Sequence, residues 1–106
     1  MVKTKTQVIK VPRNYLREAE RVCHVEKAIL FGSYAHGKAS AQSDIDMAIF
    51  SRAVTDKNRI ETMSKLLMLV SKLKVDIQPV VFSYEDYSTG DNDFITEEIK
   101  KKGIEI

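Results

Sequence analysis

Three aspartates carried by two apolar segments are the residues of this 106-residue chain whose type and spacing could do chemistry. Asp44 and Asp46 stand two apart at the start of a segment in which Ile45, Met47 and Ile49 alternate with Asp46 and Ala48. That alternation predicts a strand over Ile45 to Phe50 with both carboxylates on one face. Asp76 stands near the start of a second run, Val75 to Phe82, in the same polar phase as Gln78 and Val80. An ionised carboxylate on a strand is costly unless it is solvated, paired or bound to metal. If the two strands are neighbours, the three carboxylates converge. Three oxygen donors without histidine or cysteine suit a hard divalent cation, and Mg²⁺ held in this way completes its octahedron with water and substrate phosphates. Upstream, Gly32-Ser33 closes the short apolar run Ala28-Ile29-Leu30-Phe31. Glycine lets a phosphate approach the backbone, while the Ser33 hydroxyl and the N–H groups of a helix start are anion donors. A phosphate held between those donors and a metal on Asp44 and Asp46 is what two-metal phosphoryl or nucleotidyl transfer requires. The competing reading is that all three aspartates sit at strand ends in solvent, the ordinary fate of a lone Asp.

The elements that must position these groups can be read from periodicity. Tyr15, Leu16, Ala19, Val22 and Cys23 recur at helical spacing after Pro12, which is acceptable in a first helical turn, and predict a helix over about 12–24. Cys23 reads as a small core residue and His24 as a helix-end residue. A long helix is expected from Thr55 or Asp56, either able to cap, to about Leu73, burying Ile60, Met63, Leu66, Leu67, Val70 and Leu73. Met63 and Met68 read as core filler. Pro79 cannot donate to a ladder, so the strand from Val75 should end there or lie at an edge. Ser83 could cap a short helix through Tyr87, and Asp93 another through about Lys102 with Gly103 as its C′ residue. Tyr84 and Tyr87 read as residues that pack or face solvent, and Lys100-Lys101-Lys102 as a solvated helix end.

Composition bounds the possibilities. Apolar residues make up 43% and charged residues 30%, an ordinary globular balance. Seventeen basic against fifteen acidic residues leave +2, too small an excess to neutralise a duplex backbone, so no duplex nucleic-acid binding is expected. No apolar run approaches the ~20 residues that cross a bilayer, and the start shows no hydrophobic signal segment, so a cytoplasmic protein is expected. One cysteine excludes an intramolecular disulfide, and two histidines exclude a histidine-rich metal site. A single domain spanning residues 1–106 is expected at this length.

Gly32-Ser33, the ten residues Tyr34 to Ser43, and Asp44-Ile45-Asp46 form a G-S-x10-D-x-D pattern. It is similar to the signature of the polymerase-β-like nucleotidyltransferase superfamily. The string FGSYAHGKASAQSDIDMAIF resembles the minimal nucleotidyltransferases, the antitoxin half of HEPN/MNT toxin–antitoxin pairs, as does the ending EEIKKKGIEI. The resemblance covers about residues 12 to 106. It implies an α/β (α+β) fold with a small mixed sheet packed against helices. It also implies transfer of AMP from ATP to a hydroxyl, in this branch a tyrosine of a HEPN-type RNase toxin encoded nearby, which is thereby silenced. Carried over by position, Gly32, Ser33 and Ser43 bind the nucleotide, and Asp44 and Asp46 hold Mg²⁺, two ions in all. Asp76, matched by context rather than by a tight motif, holds the second ion and helps deprotonate the attacking hydroxyl, whose pKa of ~10 makes activation necessary. Position 36 is His where the family more often has Arg, which leaves its contact with phosphate or partner open. Tyr34 reads either as a group that stacks on the nucleotide base or as a partly exposed aromatic on the turn. Two rival functions remain: an antitoxin that neutralises by occlusion alone, and a nucleotidyltransferase acting on a small molecule, whose relatives usually carry an additional acceptor-binding domain.

Overall fold

The structure, a computed structural model, describes residues 5–32, 44–90 and 92–106. Ser33, Ser43, Tyr34 and His36 lie outside the described residues. In chain order the elements are α1 (Lys5–Ala19), β1 (Lys27–Phe31), β2 (Ile45–Ser51), α2 (Arg59–Leu73), β3 (Ile77–Ser83), α3 (Tyr84–Thr89), α4 (Ile95–Lys100) and β4 (Ile104–Glu105). The strands form one mixed sheet in the order β3-β2-β1-β4, with β1 antiparallel to both β2 and β4 and β2 parallel to β3.

Period-2 side-chain alternation divides the core between the two faces of this sheet. On one face Leu30, Ile45, Met47, Ile49, Ile77 and Val81 pack with Tyr15, Ala19 and Cys23 and with Leu66 of α2. On the other, Ile29, Phe31, Ala48, Phe50 and Phe82 are covered by Ile95 and Ile99 of α4, with Tyr84 and Tyr87 of α3 beside them. The expected small mixed sheet packed against helices is the observed architecture. Among the described residues no helix is long and apolar enough to cross a membrane.

Several boundaries differ from expectation for identifiable reasons. Helix α1 begins before Pro12, which lies inside it, and ends at Ala19 rather than 24. The bonds from Arg21 N to Glu18 O and from Val22 N to Ala19 O tighten its exit into i−3 spacing. Helix α2 starts at Arg59, not Thr55 or Asp56. The Asn58 side chain accepts from Thr55 N at 2.7 Å and donates to Ala53 O at 2.9 Å, which holds the preceding residues in a closed turn. Its buried stripe is narrower than read: Leu66 is buried and Met63 and Val70 partly so, but Ile60, Leu67 and Met68 are 73%, 46% and 71% exposed, and Leu73 is exposed too. Met68 is therefore not core filler. Pro79 lies on β3, an edge strand as expected, and the ladder with β2 continues past it to Ser83.

Ser83 caps α3 by accepting from Asp86 N. Helix α4 is a π-helical turn and is capped by Asn92, whose Oδ1 accepts from Ile95 N, rather than by Asp93. Gly103 is not a left-handed C′ residue. A Cβ there would meet Ile99 O, Leu30 O and the Ile29 side chain, so glycine is needed for close packing as the chain turns into β4. Of the lysine run, Lys101 and Lys102 pair with Glu97 and Glu98, while Lys100 donates to Tyr87 O and sits 4.5 Å over the Tyr87 ring.

Tyr15 ties α1 to α2: its buried hydroxyl donates to Leu66 O at 2.8 Å, and burial raises the phenol's pKa well above its ordinary value. Tyr15→Phe keeps the ring but loses the bond. It should cost about 1 kcal/mol in denaturant unfolding with an unchanged m-value.

Candidate functional site

The two carboxylates lie at the start of β2, Asp46 within the strand and Asp44 just before it. Asp46 is in register with Phe31 of β1 on one side and Gln78 of β3 on the other, so these three side chains form one row across the face that α3 and α4 cover. Asp44 precedes the strand by one residue, and Ile45 N donates to Asp76 O at 2.8 Å, which brings Asp76 level with Asp44 on the neighbouring chain segment. Asp44 and Asp76 are exposed, and Asp46 is partly buried. Gln78 Nε2 donates to Asp44 Oδ2 at 3.4 Å.

Asp46 is electrostatically uncomfortable. Burial first, and the neighbouring Asp44 charge second, raise its pKa above the ordinary carboxylate value. Gly32, directly after β1, has φ of 73°, the left-handed region, and a Cβ at this position would collide with Asp46 Oδ2. The glycine is thus required twice, once for its backbone and once for the space its missing side chain leaves at the carboxylate.

This donor set fits a hard divalent cation. It consists of oxygen ligands, and the like-charge strain on Asp46 is what a cation relieves. Among the described residues, however, no three His, Cys, Asp or Glu side chains close on a single point. Asp44 and Asp46 form the pair and Asp76 flanks it. Ser33 and Ser43, expected to bind nucleotide, fall outside the described residues. Sequence reasoning gave Gln78 no role, although its phase on the strand, shared with Asp76, was visible. A cavity of about 350 Å³ lined by Arg52, Thr55, Ser83 and Tyr84 lies at the opposite end of β2 and β3, away from the carboxylates.

At the start of β2, an interior strand, the Asp44–Asp46 pair stands with Asp46 against the Gly32 turn, and comparison with known proteins gives the family of the chain. The sequence profile of the family described as Polymerase beta, Nucleotidyltransferase matches residues 13–106, and the chain belongs to that family. Among solved structures it is similar to a Sulfolobus solfataricus protein assigned as a nucleotidyltransferase, with 17% identity, a TM-score of 0.69, and 99% of this chain and 89% of that one covered. It is also similar to a chain in the complex of tri-AMPylated Shewanella oneidensis HEPN toxin with MNT antitoxin, with 19% identity, a TM-score of 0.52, and 96% and 71% covered. A mutant of the MntA toxin–antitoxin complex gives 21% identity and a TM-score of 0.50 over 92% and 70% of the two chains. At these identities the likeness is one of fold. No curated protein matches the sequence.

Proposed function

We propose that this chain is a metal-dependent nucleotidyltransferase antitoxin that transfers AMP from ATP to a tyrosine hydroxyl of a HEPN-type RNase toxin and so neutralises it. The observation that carries the reading is the Asp44–Asp46 pair at the start of β2, with Asp46 against the side-chain-free Gly32, in a member of the nucleotidyltransferase family. The fold-level likeness to an antitoxin whose partner toxin is AMPylated supports the choice of acceptor. We place its work in the cytoplasm, where ATP and RNA are both at hand.

In this reading Asp44 and Asp46 would hold Mg²⁺, and Asp76, beside them, would serve a second ion. When bound, the metal offsets charge on the entering and leaving oxygens. Gly32, at the turn after β1, admits the triphosphate, and Ser33 and Ser43 are assigned to nucleotide binding with it. Asp76, exposed at the edge, takes the proton of the attacking phenol, whose ordinary pKa of ~10 keeps it protonated at neutral pH. The phenolic oxygen bonds to the α-phosphorus, the bond from that phosphorus to the bridging oxygen breaks, and pyrophosphate leaves.

The test uses ATP radiolabelled on its α-phosphate, Mg²⁺ and the protein encoded beside this one. Label is expected on a tyrosine of that protein, and chelation of the metal should abolish it. A complex that forms yet never acquires label overturns the enzymatic reading. The alternative, neutralisation by occlusion, draws on the absence of three converging acidic side chains among the described residues. Occlusion predicts full inhibition of the RNase without ATP, whereas the proposed enzyme requires it.

A further inference from the structure

The face that carries Asp46 is roofed by α4, and at the near end of that helix stands an aromatic ring that the core does not use. Phe31, Phe50 and Phe82 are buried, but Phe94 remains 47% exposed. Its ring meets Phe31 edge to face, with centroids 5.7 Å apart and planes at 88°. Phe31 is the residue in register with Asp46. Phe94 therefore touches the ring that is the cross-strand neighbour of Asp46.

Its position is fixed. Ile95 and Ile99, both fully buried, anchor α4 to the sheet, and the bond from Ile95 N to Asn92 Oδ1 closes the turn that carries Phe94. At this angle Phe31 covers at most one face of the Phe94 ring, and the residue keeps 47% exposure. The neighbouring Asp93 is exposed and acidic, so a phosphate is disfavoured here while a neutral, flat group is not.

We infer that Phe94 is the platform on which the nucleobase of the bound nucleotide stacks, with the phosphates directed toward Gly32 and the Asp44–Asp46 pair. The inference rests on the nucleotide-binding reading above and goes beyond it by naming the group that holds the base. An aromatic face accepts any purine, so Phe94 supplies affinity, and discrimination between bases falls to other groups.

The experiment compares binding of two probes, AMP-PNP and inorganic tripolyphosphate, each with Mg²⁺, to wild type, Phe94→Ala and Phe94→Tyr by titration calorimetry. Phe94→Ala should weaken AMP-PNP about tenfold, equivalent to ~1.4 kcal/mol, and leave tripolyphosphate unchanged. Phe94→Tyr should restore AMP-PNP binding. Circular dichroism matching wild type shows that the half-exposed site tolerates the truncation. Unchanged AMP-PNP affinity in Phe94→Ala, or equal weakening of both probes, overturns the inference alone. An unchanged affinity paired with a raised KM for the protein acceptor would assign the ring to the acceptor instead. Wild-type protein that binds neither probe overturns the proposed function together with this inference.

Discussion

Asp46→Asn is expected to lower AMP transfer about a thousandfold while making the metal-free protein more stable at neutral pH. The activity loss follows from removing half of the carboxylate pair proposed to hold Mg²⁺: the charge stabilisation a metal supplies is worth several kcal/mol, and each 1.36 kcal/mol is tenfold in rate. The stability gain follows from the direction of the Asp46 shift. Its folded-state pKa lies above the ordinary value of 3.8 because of burial and the Asp44 charge. The folded state therefore holds the proton more tightly than the unfolded chain does. That contribution is fully present below the unfolded pKa and is lost as pH rises through the folded pKa, above which the ionised Asp46 opposes folding. Asn has nearly the same shape and no charge, so the variant should lack this decline. Denaturant midpoints measured in chelator from acid to neutral pH should diverge upward for Asp46→Asn from 3.8 onward. Added Mg²⁺ should narrow the gap by stabilising wild type alone. Parallel pH curves for the two proteins would remove the electrostatic account, and undiminished transfer would remove Asp46 from the chemistry.

The parts of this site that could be read from sequence are those encoded locally. Alternation along β2 fixes the shared face of Asp44 and Asp46, and Gly32 at the end of an apolar run marks a turn with positive φ. The edge position of β3 follows from Pro79 because a missing N–H is a property of one residue. What could not be read depends on which elements meet. Helix α2 carries apolar residues around more of its circumference than the sheet can cover. Periodicity therefore assigned Ile60 and Leu67 to the same stripe as Leu66, although they point to solvent. The meeting of Phe31 and Phe94 requires α4 to fold back over β1, and no spacing in the chain announces it. Gln78 faces Asp46 only once β2 and β3 are known to be parallel and in that register. Strand β4, two residues long, leaves no periodic trace, and the π-helical winding of α4 has no sequence signal of its own.

Gly32→Ala should combine a loss of about 1–2 kcal/mol in stability with a drop in AMP transfer of about a hundredfold. The two effects have separate causes. A left-handed residue with a Cβ costs roughly 1–2 kcal/mol in backbone energy wherever it occurs. At Gly32 the new methyl would in addition overlap Asp46 Oδ2, and this part of Asp46 must move to admit it. A displacement on the order of 1 Å in a catalytic group can cost about a hundredfold in rate. Gly90 supplies the control, because it has nearly the same φ, 72°, and nothing within 4 Å of where its Cβ would lie. Gly90→Ala should show the stability loss and retain activity. A second comparison isolates the contact. In an Asp46→Ala background the overlapping carboxylate is gone, and the nearest remaining atom, the Cβ of residue 46, lies at 3.5 Å, an ordinary contact. Gly32→Ala should then cost no more stability than Gly90→Ala does, and the difference between the two backgrounds measures the clash. If Gly32→Ala retains transfer as Gly90→Ala does, the close approach of the turn to Asp46 plays no part in placing the carboxylate.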